Sequence, residues 1–147
     1  MALVWTDDLA LGVDALDAQH RELFVRTNLL LRAAEGPPAD HESTQLLAFL
    51  SGHVSHHFED EERLMAALEY PEAAAHRAEH DEFRAVLRDL VRELALGGVG
   101  ERLRQRIQTE VCAWIERHVQ ESDRALASFT RAAKGRPPRL RVIRGDG

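Results

Sequence analysis

The chain has 147 residues, with 44% hydrophobic and 30% charged side chains, which is typical of one soluble globular domain. Its formal net charge of -6 argues against a general nucleic-acid binder, because such proteins are usually basic. No apolar run approaches the ~20 residues that cross a bilayer, and the N-terminus lacks the basic start of a signal peptide. A cytoplasmic protein is therefore expected, with the single Cys112 as a buried, reduced thiol.

Proline and glycine are concentrated in a few breaks, and the segments between them are rich in alanine, leucine, glutamate and arginine, which favour helix. Apolar residues recur in these segments at alternating three- and four-residue steps, as along one face of an amphipathic helix. Four helices are expected over about residues 13–34, 39–68, 71–97 and 101–132, the third opening at Pro71. No strand pattern is found, so the short links predict an all-α, up-down-up-down antiparallel four-helix bundle.

Two terminal segments lie outside the predicted bundle of residues 13–132. Residues 1–12 form an extended arm that is expected to pack Trp5 and Leu9 against the helices. Residues 133–147 form a short basic tail, and from Arg131 onward six basic residues stand against the single acid Asp146. The tail is predicted to be flexible or loosely packed on the acidic body. Alternatively, it docks on an acidic partner or a membrane surface.

Histidine interrupts each of the four apolar stripes at a position whose spacing favours an apolar side chain. These positions are His20 on the first helix, His57 on the second, His76 and His80 on the third, and His118 on the fourth. In an up-down-up-down bundle they fall at the same end of the molecule, within a few turns of one layer. Glu61, one turn after His57, belongs to the same layer.

A buried layer of imidazoles and a carboxylate predicts a metal site, because each unpaired polar group in a bundle interior costs about 1–3 kcal/mol. Imidazole and carboxylate ligands without thiolate suit iron, manganese or zinc. Too many ligands converge for one tetrahedral zinc ion, so a dinuclear centre with carboxylate bridges is favoured. The sequence contains no Glu-x-x-His pair of the ferritin-like di-iron enzymes, no HExxH motif and no phosphate-binding glycine loop.

The fourth helix leaves the choice of one ligand open. Spacing from His118 favours Glu121, three residues on, whereas Asp123 lies five residues on, about 140° around an ideal helix. Trp114, one turn before His118, is expected to form a wall of the site. His53 is expected to be partly exposed or to contact a ligand, with direct metal binding as the less favoured alternative. Other nearby histidines and acids are expected at the surface: His41, His56, Glu59, Asp60 and Glu62.

Four segments closely resemble the hemerythrin family, and in particular its stand-alone bacterial members. They are LGVDALDAQHREL around His20, HFEDEERLM from His57, HRAEH from His76 and WIERHVQESD from Trp114. The resemblance covers about residues 5–129 and implies Asp123, rather than Glu121, as the last ligand. It implies two iron ions, one bound by His76, His80 and His118 and the other by His20 and His57, with Glu61, Asp123 and a solvent-derived oxo or hydroxo group bridging both.

The resemblance also implies reversible O2 binding, for carriage, storage or local supply, at the open position of the iron with two histidines. Five apolar positions match the oxygen pocket of the family: Leu23, Phe58, Trp114, Ile115 and Val119. An apolar wall excludes water and protons, which favours reversible binding over irreversible oxidation. The alternative is a redox enzyme or sensor acting on peroxide, nitric oxide or O2. Because no pocket candidate is an evident acid or base, a non-enzymatic protein is favoured. A monomer or weak homo-oligomer is expected.

Overall fold

The structure is a computed structural model that describes residues 3–35, 40–97 and 100–134. Within these residues the chain is helical and has no strand, as predicted. A 3-10 turn, Asp7–Leu9, precedes three long helices: α1 (Asp14–Glu35), α2 (Asp40–Ala67) and α3 (Ala73–Gly97). The fourth rod, residues 101–134, consists of α4 (Glu101–Arg106), α5 (Ala113–His118) and α6 (Arg124–Lys134), joined by π-helical segments at Ile107–Cys112 and Val119–Asp123.

Neighbouring helices run in opposite directions, which gives the predicted bundle topology. Gln19, early in α1, donates a hydrogen bond to Asp60, late in α2. Arg26, further along α1, lies over the ring of Phe49, earlier in α2. The contacts Glu61–His76 and Phe58–Phe83 join α2 to α3 in the same reversed order. The contacts Glu79–Ser122 and Asp89–Arg106 do so between α3 and the fourth rod. The start of α1, the end of α2, the start of α3 and the end of the fourth rod therefore meet at one end of the bundle.

The junction between α2 and α3 differs from the prediction by two residues. Glu69 has a positive φ of 53°, and its N–H donates a hydrogen bond to the carbonyl of Ala66. The N–H of Tyr70 donates to the carbonyl of Met65. These two bonds form a Schellman cap, which satisfies the last carbonyls of α2. Pro71 follows the cap in a turn, so the prediction that it opens α3 is wrong.

The interior has two apolar cores with a polar layer between them. The larger core fills most of the bundle and includes Leu50, Phe83, Leu90, Ile107 and Val111. The smaller core consists of Leu11, Leu16, Met65, Tyr70, Leu126 and Ala127. On α1, buried His20 lies between Leu16 of the smaller core and Leu23 of the larger core. The other helices have the same order, so apolar side chains shield the polar layer on both sides.

The N-terminal arm packs against the bundle, as predicted. Leu9 is buried in the larger core, and the partly buried Trp5 packs against that core. The buried carboxylate of Asp17 accepts hydrogen bonds from the N–H of Leu11 (2.7 Å) and of Gly12 (3.1 Å). Gly12 has a φ of 79°, a left-handed conformation that favours glycine, where the arm turns into α1. Asp17 therefore fixes the end of the arm to the first turns of the bundle.

The predictions on membrane spanning, the cysteine and the tail have different outcomes. No helix within the described ranges is long and apolar enough to cross a membrane. Cys112 is buried and free, and burial raises the pKa of its thiol to about 12. Arg131 donates a hydrogen bond to the backbone oxygen of Asp8 in the arm. The tail beyond Lys134 and the side chain of His41 lie outside the part of the chain that the structure describes.

Candidate metal centre

The polar layer contains the seven side chains that the sequence predicted as metal ligands. Each is at most 3% exposed, and all four rods contribute: His20 from α1, His57 and Glu61 from α2, His76 and His80 from α3, and His118 and Asp123 from the fourth rod. In five of them, one potential ligand atom per residue lies within 4.8 Å of the others: Glu61, His76, His80, His118 and Asp123. The structure therefore brings the predicted residues together in one buried cluster.

The imidazoles form two groups. His76, His80 and His118 make up the three-histidine group, in which the ring centroids are 4.6–5.0 Å apart. His20 and His57 make up the two-histidine group, whose rings stack at 5.1 Å. The two carboxylates lie between these groups.

Glu61 faces both histidine groups. Its Oε1 lies 2.6 Å from Nε2 of His76 and 3.2 Å from Nε2 of His80. Its Oε2 lies 3.3 Å from Nε2 of His57. One oxygen of this carboxylate is therefore directed to each group, which is the arrangement that a carboxylate bridging two cations requires.

Asp123, from the fourth rod, has the same arrangement. Its Oδ1 lies 3.2 Å from Nε2 of His76 and 3.1 Å from Nε2 of His118. Its Oδ2 lies 3.2 Å from Nε2 of His20. Two independent carboxylates thus connect the three-histidine group with the two-histidine group.

The π-helical segment Val119–Asp123 explains how Asp123 reaches the cluster. In an ideal α-helix, a residue five positions after His118 points about 140° away from it. The i→i+5 hydrogen bonds of a π segment accommodate an extra residue in the turn, so Asp123 shares the inward face of His118. Glu121, which α-helical spacing favoured, is exposed. The structure therefore brings Asp123 to the histidines and leaves Glu121 outside the cluster.

Several atoms of the cluster are buried without a hydrogen-bond partner. They are both ring nitrogens of His20, Nε2 of His80, Nε2 of His118, Oε2 of Glu61 and Oδ1 of Asp123. Neighbouring polar atoms lie only 3.1–3.3 Å away, but they are not aligned for hydrogen bonds. Such unpaired atoms cost about 1–3 kcal/mol each, and cations between them would use the same lone pairs. The nitrogen and oxygen donors therefore fit iron, manganese or zinc.

The charges of the cluster also favour cations. Burial and the nearby charge of Asp123 raise the pKa of Glu61, but the imidazoles of His57, His76 and His80 within 3.3 Å outweigh both and hold it well below its usual value. Burial likewise raises the pKa of Asp123, but the charge and close contact of the imidazoles of His118, His20 and His76 lower it well below its usual value. Burial lowers the pKa of His76, but the close carboxylates of Asp123 and Glu61 raise it to about 10. Both carboxylates therefore stay anionic.

Three of the cluster imidazoles have a partner on Nδ1, the nitrogen that faces away from the centre. The pairs are His80 with Oε2 of Glu62 at 2.7 Å, His118 with Oε1 of Glu79 at 2.8 Å, and His57 with Oε1 of Gln19 at 3.3 Å. When the Nδ1–H donates to such an acceptor, the lone pair of Nε2 faces the cluster, which is the tautomer that binds a metal.

Sequence reasoning did not find these outer partners. Glu62 was predicted at the surface, but its side chain is only 14% exposed and contacts His80, so that prediction is wrong. Spacing along α2 shows on which side of its own helix Glu62 lies and gives no information about a histidine on α3. Glu79 lies three residues after His76, but this spacing does not reveal that its carboxylate reaches His118 on the fourth rod.

The remaining polar predictions around the site have mixed outcomes. His53 is partly exposed, as predicted, and its Nε2 lies 2.8 Å from the backbone oxygen of Gln19. His56 and Glu59 are exposed, as predicted. Asp60 is partly buried and accepts a hydrogen bond from Gln19, which differs from the predicted solvated position.

Apolar and aromatic side chains enclose the cluster. The ring of Phe58 stacks on His80 at 3.7 Å, and the ring of Trp114 stacks on His118 at 4.4 Å. Trp5 of the arm contacts His20 edge-on at 5.2 Å. The five predicted pocket residues are all buried: Leu23, Phe58, Trp114, Ile115 and Val119. Bulk water is therefore kept away from most of the cluster.

A four-helix bundle with five imidazoles and two carboxylates in one buried layer defines a non-haem, cation-binding class of protein. Residues 11–129 match the family profile described as hemerythrin HHE cation binding domain, and the chain belongs to the hemerythrin family. It is 34% identical over 125 residues to a bacteriohemerythrin of Ralstonia nicotianae, covering 85% of this chain and 86% of the relative. It is 32% identical over 138 residues to a bacteriohemerythrin of Stenotrophomonas maltophilia, covering 88% and 82%. The crystal structure of a wild-type hemerythrin superposes with a TM-score of 0.73 at 27% identity, covering 88% of this chain and 98% of that chain.

Proposed function

We propose that the protein holds two iron ions in this cluster and binds O2 reversibly at the ion of the two-histidine group. The observation that carries the proposal is the orientation of Glu61 and Asp123, each of which directs one oxygen to each histidine group. Membership of the hemerythrin family supports iron as the metal. The similarity to proteins named bacteriohemerythrin supports the same assignment.

The two ions would have different numbers of protein ligands. The three-histidine group offers three nitrogens, and Glu61 and Asp123 each add one oxygen. The two-histidine group offers two nitrogens, with one oxygen from each of the same carboxylates. The second ion would therefore have one protein ligand fewer and more room for an exchangeable ligand. When bound, a ferrous pair supplies the electrons that O2 needs in order to bind.

The role of the pocket residues is to keep water and protons away from the O2 position. Phe58, Trp114 and Ile115 are at most 6% exposed and carry no group that titrates near neutral pH. A protein acid beside bound O2 would favour its irreversible reduction, and the apolar wall offers none. This character supports reversible binding over enzymatic turnover.

Metal analysis and O2 titration of the full-length protein test the proposal. Protein made in iron-replete medium is expected to contain two iron ions per chain. After reduction, O2 should produce an absorption band that disappears when O2 is removed. A colourless protein, or one that bleaches irreversibly within a single oxygenation cycle, would contradict the proposal.

Two single substitutions on α2 make a matched pair for the same test. His57→Ala removes a buried imidazole of the two-histidine group and is expected to abolish O2 binding. His53→Ala removes an imidazole one turn away that contacts the backbone oxygen of Gln19 and stacks on Phe49. It is expected to retain iron and O2 binding. Equal loss in both variants would show that the effect of His57→Ala is structural.

A further inference from the structure

The partners of Nδ1, the ring nitrogen that faces away from the cluster, differ in charge between the two histidine groups. In the three-histidine group, Nδ1 of His80 contacts the carboxylate of Glu62 and Nδ1 of His118 contacts the carboxylate of Glu79. In the two-histidine group, the partner of Nδ1 of His57 among the described residues is the neutral amide oxygen of Gln19, at the longer distance of 3.3 Å. Both nitrogens of the His20 ring are buried and lack a hydrogen-bond partner.

The carboxylate of Glu79 is held in place by the π-helical segment. The hydroxyl of Ser122 donates to Glu79, with its Oγ 2.7 Å from Oε1 and 2.8 Å from Oε2. Ser122 directly precedes Asp123 in the segment Val119–Asp123. The same local geometry therefore sends Asp123 into the cluster and fixes Glu79 behind His118.

The carboxylate of Glu62 is also fixed in place. Its Oε2 lies 3.1 Å from a guanidinium nitrogen of Arg84 and 2.7 Å from Nδ1 of His80. Its Oε1 lies 3.8 Å from Nε of Arg77. Glu62 therefore has partners on both oxygens and a defined orientation behind His80.

An anionic acceptor on Nδ1 makes the opposite nitrogen of an imidazole a stronger donor to a metal, and a neutral amide does so less. Both outer carboxylates act on the three-histidine group, which already offers one nitrogen more than the two-histidine group. The stronger nitrogen donors and the additional nitrogen both favour metal binding at the three-histidine group. The two metal positions should therefore differ in affinity.

We propose that Glu62 and Glu79 are positioning residues that make the three-histidine group the tighter metal site. The first ion to enter the metal-free chain then occupies this group, and the ion of the two-histidine group is the exchangeable one. This inference rests on the proposed function to the extent that both groups bind metal.

Titration of the metal-free, full-length protein with zinc(II) tests the order of loading. Zinc(II) is diamagnetic, so NMR of ¹⁵N-labelled imidazoles shows which Nε2 atoms gain a metal at each step. The first equivalent is expected to shift His76, His80 and His118, and the second His20 and His57. Simultaneous shifts of all five, or shifts of the two-histidine group first, would overturn the inference.

The variants Glu62→Gln and Glu79→Gln keep an acceptor of the same shape and remove its charge. Each is expected to weaken the first zinc(II) site by roughly 10-fold or more, measured by competition with a chelator, and to change the second site less. In the iron-loaded protein, the reduction potential of the three-histidine ion should rise, because the ferric state loses a nearby negative charge. A purely structural role would not move this potential selectively.

Glu121→Gln is the matched control. Glu121 is exposed and lines the same cavity of about 220 Å³ as Glu79 and Ser122. The substitution therefore removes the same charge from the same surroundings. Its zinc(II) affinities and loading order are expected to match those of the unmodified chain. If Glu79→Gln and Glu121→Gln weaken binding equally, the effect is one of general charge and the inference fails.

Two further variants keep the test informative if Glu79→Gln fails to fold. Ser122→Ala leaves the charge of Glu79 but removes its anchor, and should weaken the first site by a smaller factor. Gln19→Glu combined with Asp60→Asn exchanges acceptor and donor behind His57, and should strengthen the second site. If either of these variants leaves the zinc(II) affinities unchanged, the inference is also overturned.

Failure of the inference and failure of the proposed function give different results. Unmodified protein that binds two ions with equal affinity at both groups refutes the loading order and leaves the di-iron proposal intact. Protein that binds a single ion at the three-histidine group refutes the di-iron proposal and supports the affinity difference. Protein that binds no metal refutes both.

Discussion

Deletion of Glu121 tests whether the segment Val119–Asp123 behaves as a single inserted residue in an α-helical rod. Before this segment, the buried positions Val111, Ile115 and His118 follow α-helical spacing. After it, Asp123 begins a second buried stripe that continues through Leu126 to Thr130. The two stripes are out of phase by one residue, because a four-residue step from His118 would end one position before Asp123.

Removing one residue inside the segment should bring the two stripes into phase. The carboxylate of Asp123 would then follow His118 by four residues on the same face, and Leu126 would keep its buried position. Glu121 is exposed, so little packing is lost, and the free energy of unfolding is expected to change by about 1 kcal/mol or less. Iron content should stay at two ions per chain.

Deletion of Ala125, which is also exposed, is the control. It rotates the following residues by about 100° and turns the fully buried Leu126 away from the smaller core. Losing a buried leucine costs about 2–5 kcal/mol. If the π segment instead absorbs this deletion, Asp123 leaves the cluster and metal is lost.

Urea unfolding followed by circular dichroism, together with iron analysis, distinguishes the two deletions. The Glu121 deletion should be folded and metal-loaded, and the Ala125 deletion should be destabilised or depleted of metal. If the Glu121 deletion loses metal as completely as the Ala125 deletion, the interpretation of the segment as a one-residue insertion is refuted.

Three further predictions concern protons, the arm and the pocket. Because the pKa of His76 is raised to about 10, its imidazole is protonated at neutral pH in the metal-free protein, and a binding cation must displace that proton. Zinc(II) affinity should therefore rise with pH up to about 10, with proton release at pH 7; a pH-stat titration without proton release would contradict this. Asp17→Ala should lower the free energy of unfolding by about 2–4 kcal/mol, because two backbone N–H groups lose a charged acceptor; exposed Asp14→Ala, measured in parallel by urea unfolding, should have little effect. Ile115→Thr places a hydroxyl at a buried pocket position and should accelerate irreversible oxidation of the O2-bound protein severalfold. The rate is measured as loss of the O2-dependent absorption band. An unchanged rate would show that the apolar wall does not control this oxidation.

The fold was predictable from sequence because the helices are long and their apolar spacing is regular. The observed α1, Asp14–Glu35, differs from the predicted residues 13–34 by one residue at each end. The start of α3 was less accurate, because a left-handed Glu69 lets Tyr70 and Met65 complete the cap of α2 first. A glycine would have signalled such a cap, and glutamate at this position gives no signal.

The inward histidines were also predictable, because each interrupts an apolar stripe of its own helix. Asp123 was not accessible to spacing, since the π segment changes the phase of the rod between His118 and Asp123. Only the family resemblance indicated it. Glu79 and Glu62 were inaccessible for another reason: their partners lie on neighbouring rods, and contacts of this kind depend on how the helices pack.

The separation of the two apolar cores from the polar layer has a consequence for folding. The larger core holds buried side chains from all four helical rods, and part of it, including Leu50, Leu90 and Val111, lies about two helical turns or more along the chain from the cluster residues of the same rod. These contacts should form the bundle without metal, unlike zinc fingers, in which the metal supplies most of the folding free energy. The unpaired nitrogens and oxygens of the cluster reduce stability in the metal-free chain, and cations that bind there recover that loss. Metal binding is therefore expected to add stability to a bundle that the apolar cores already form.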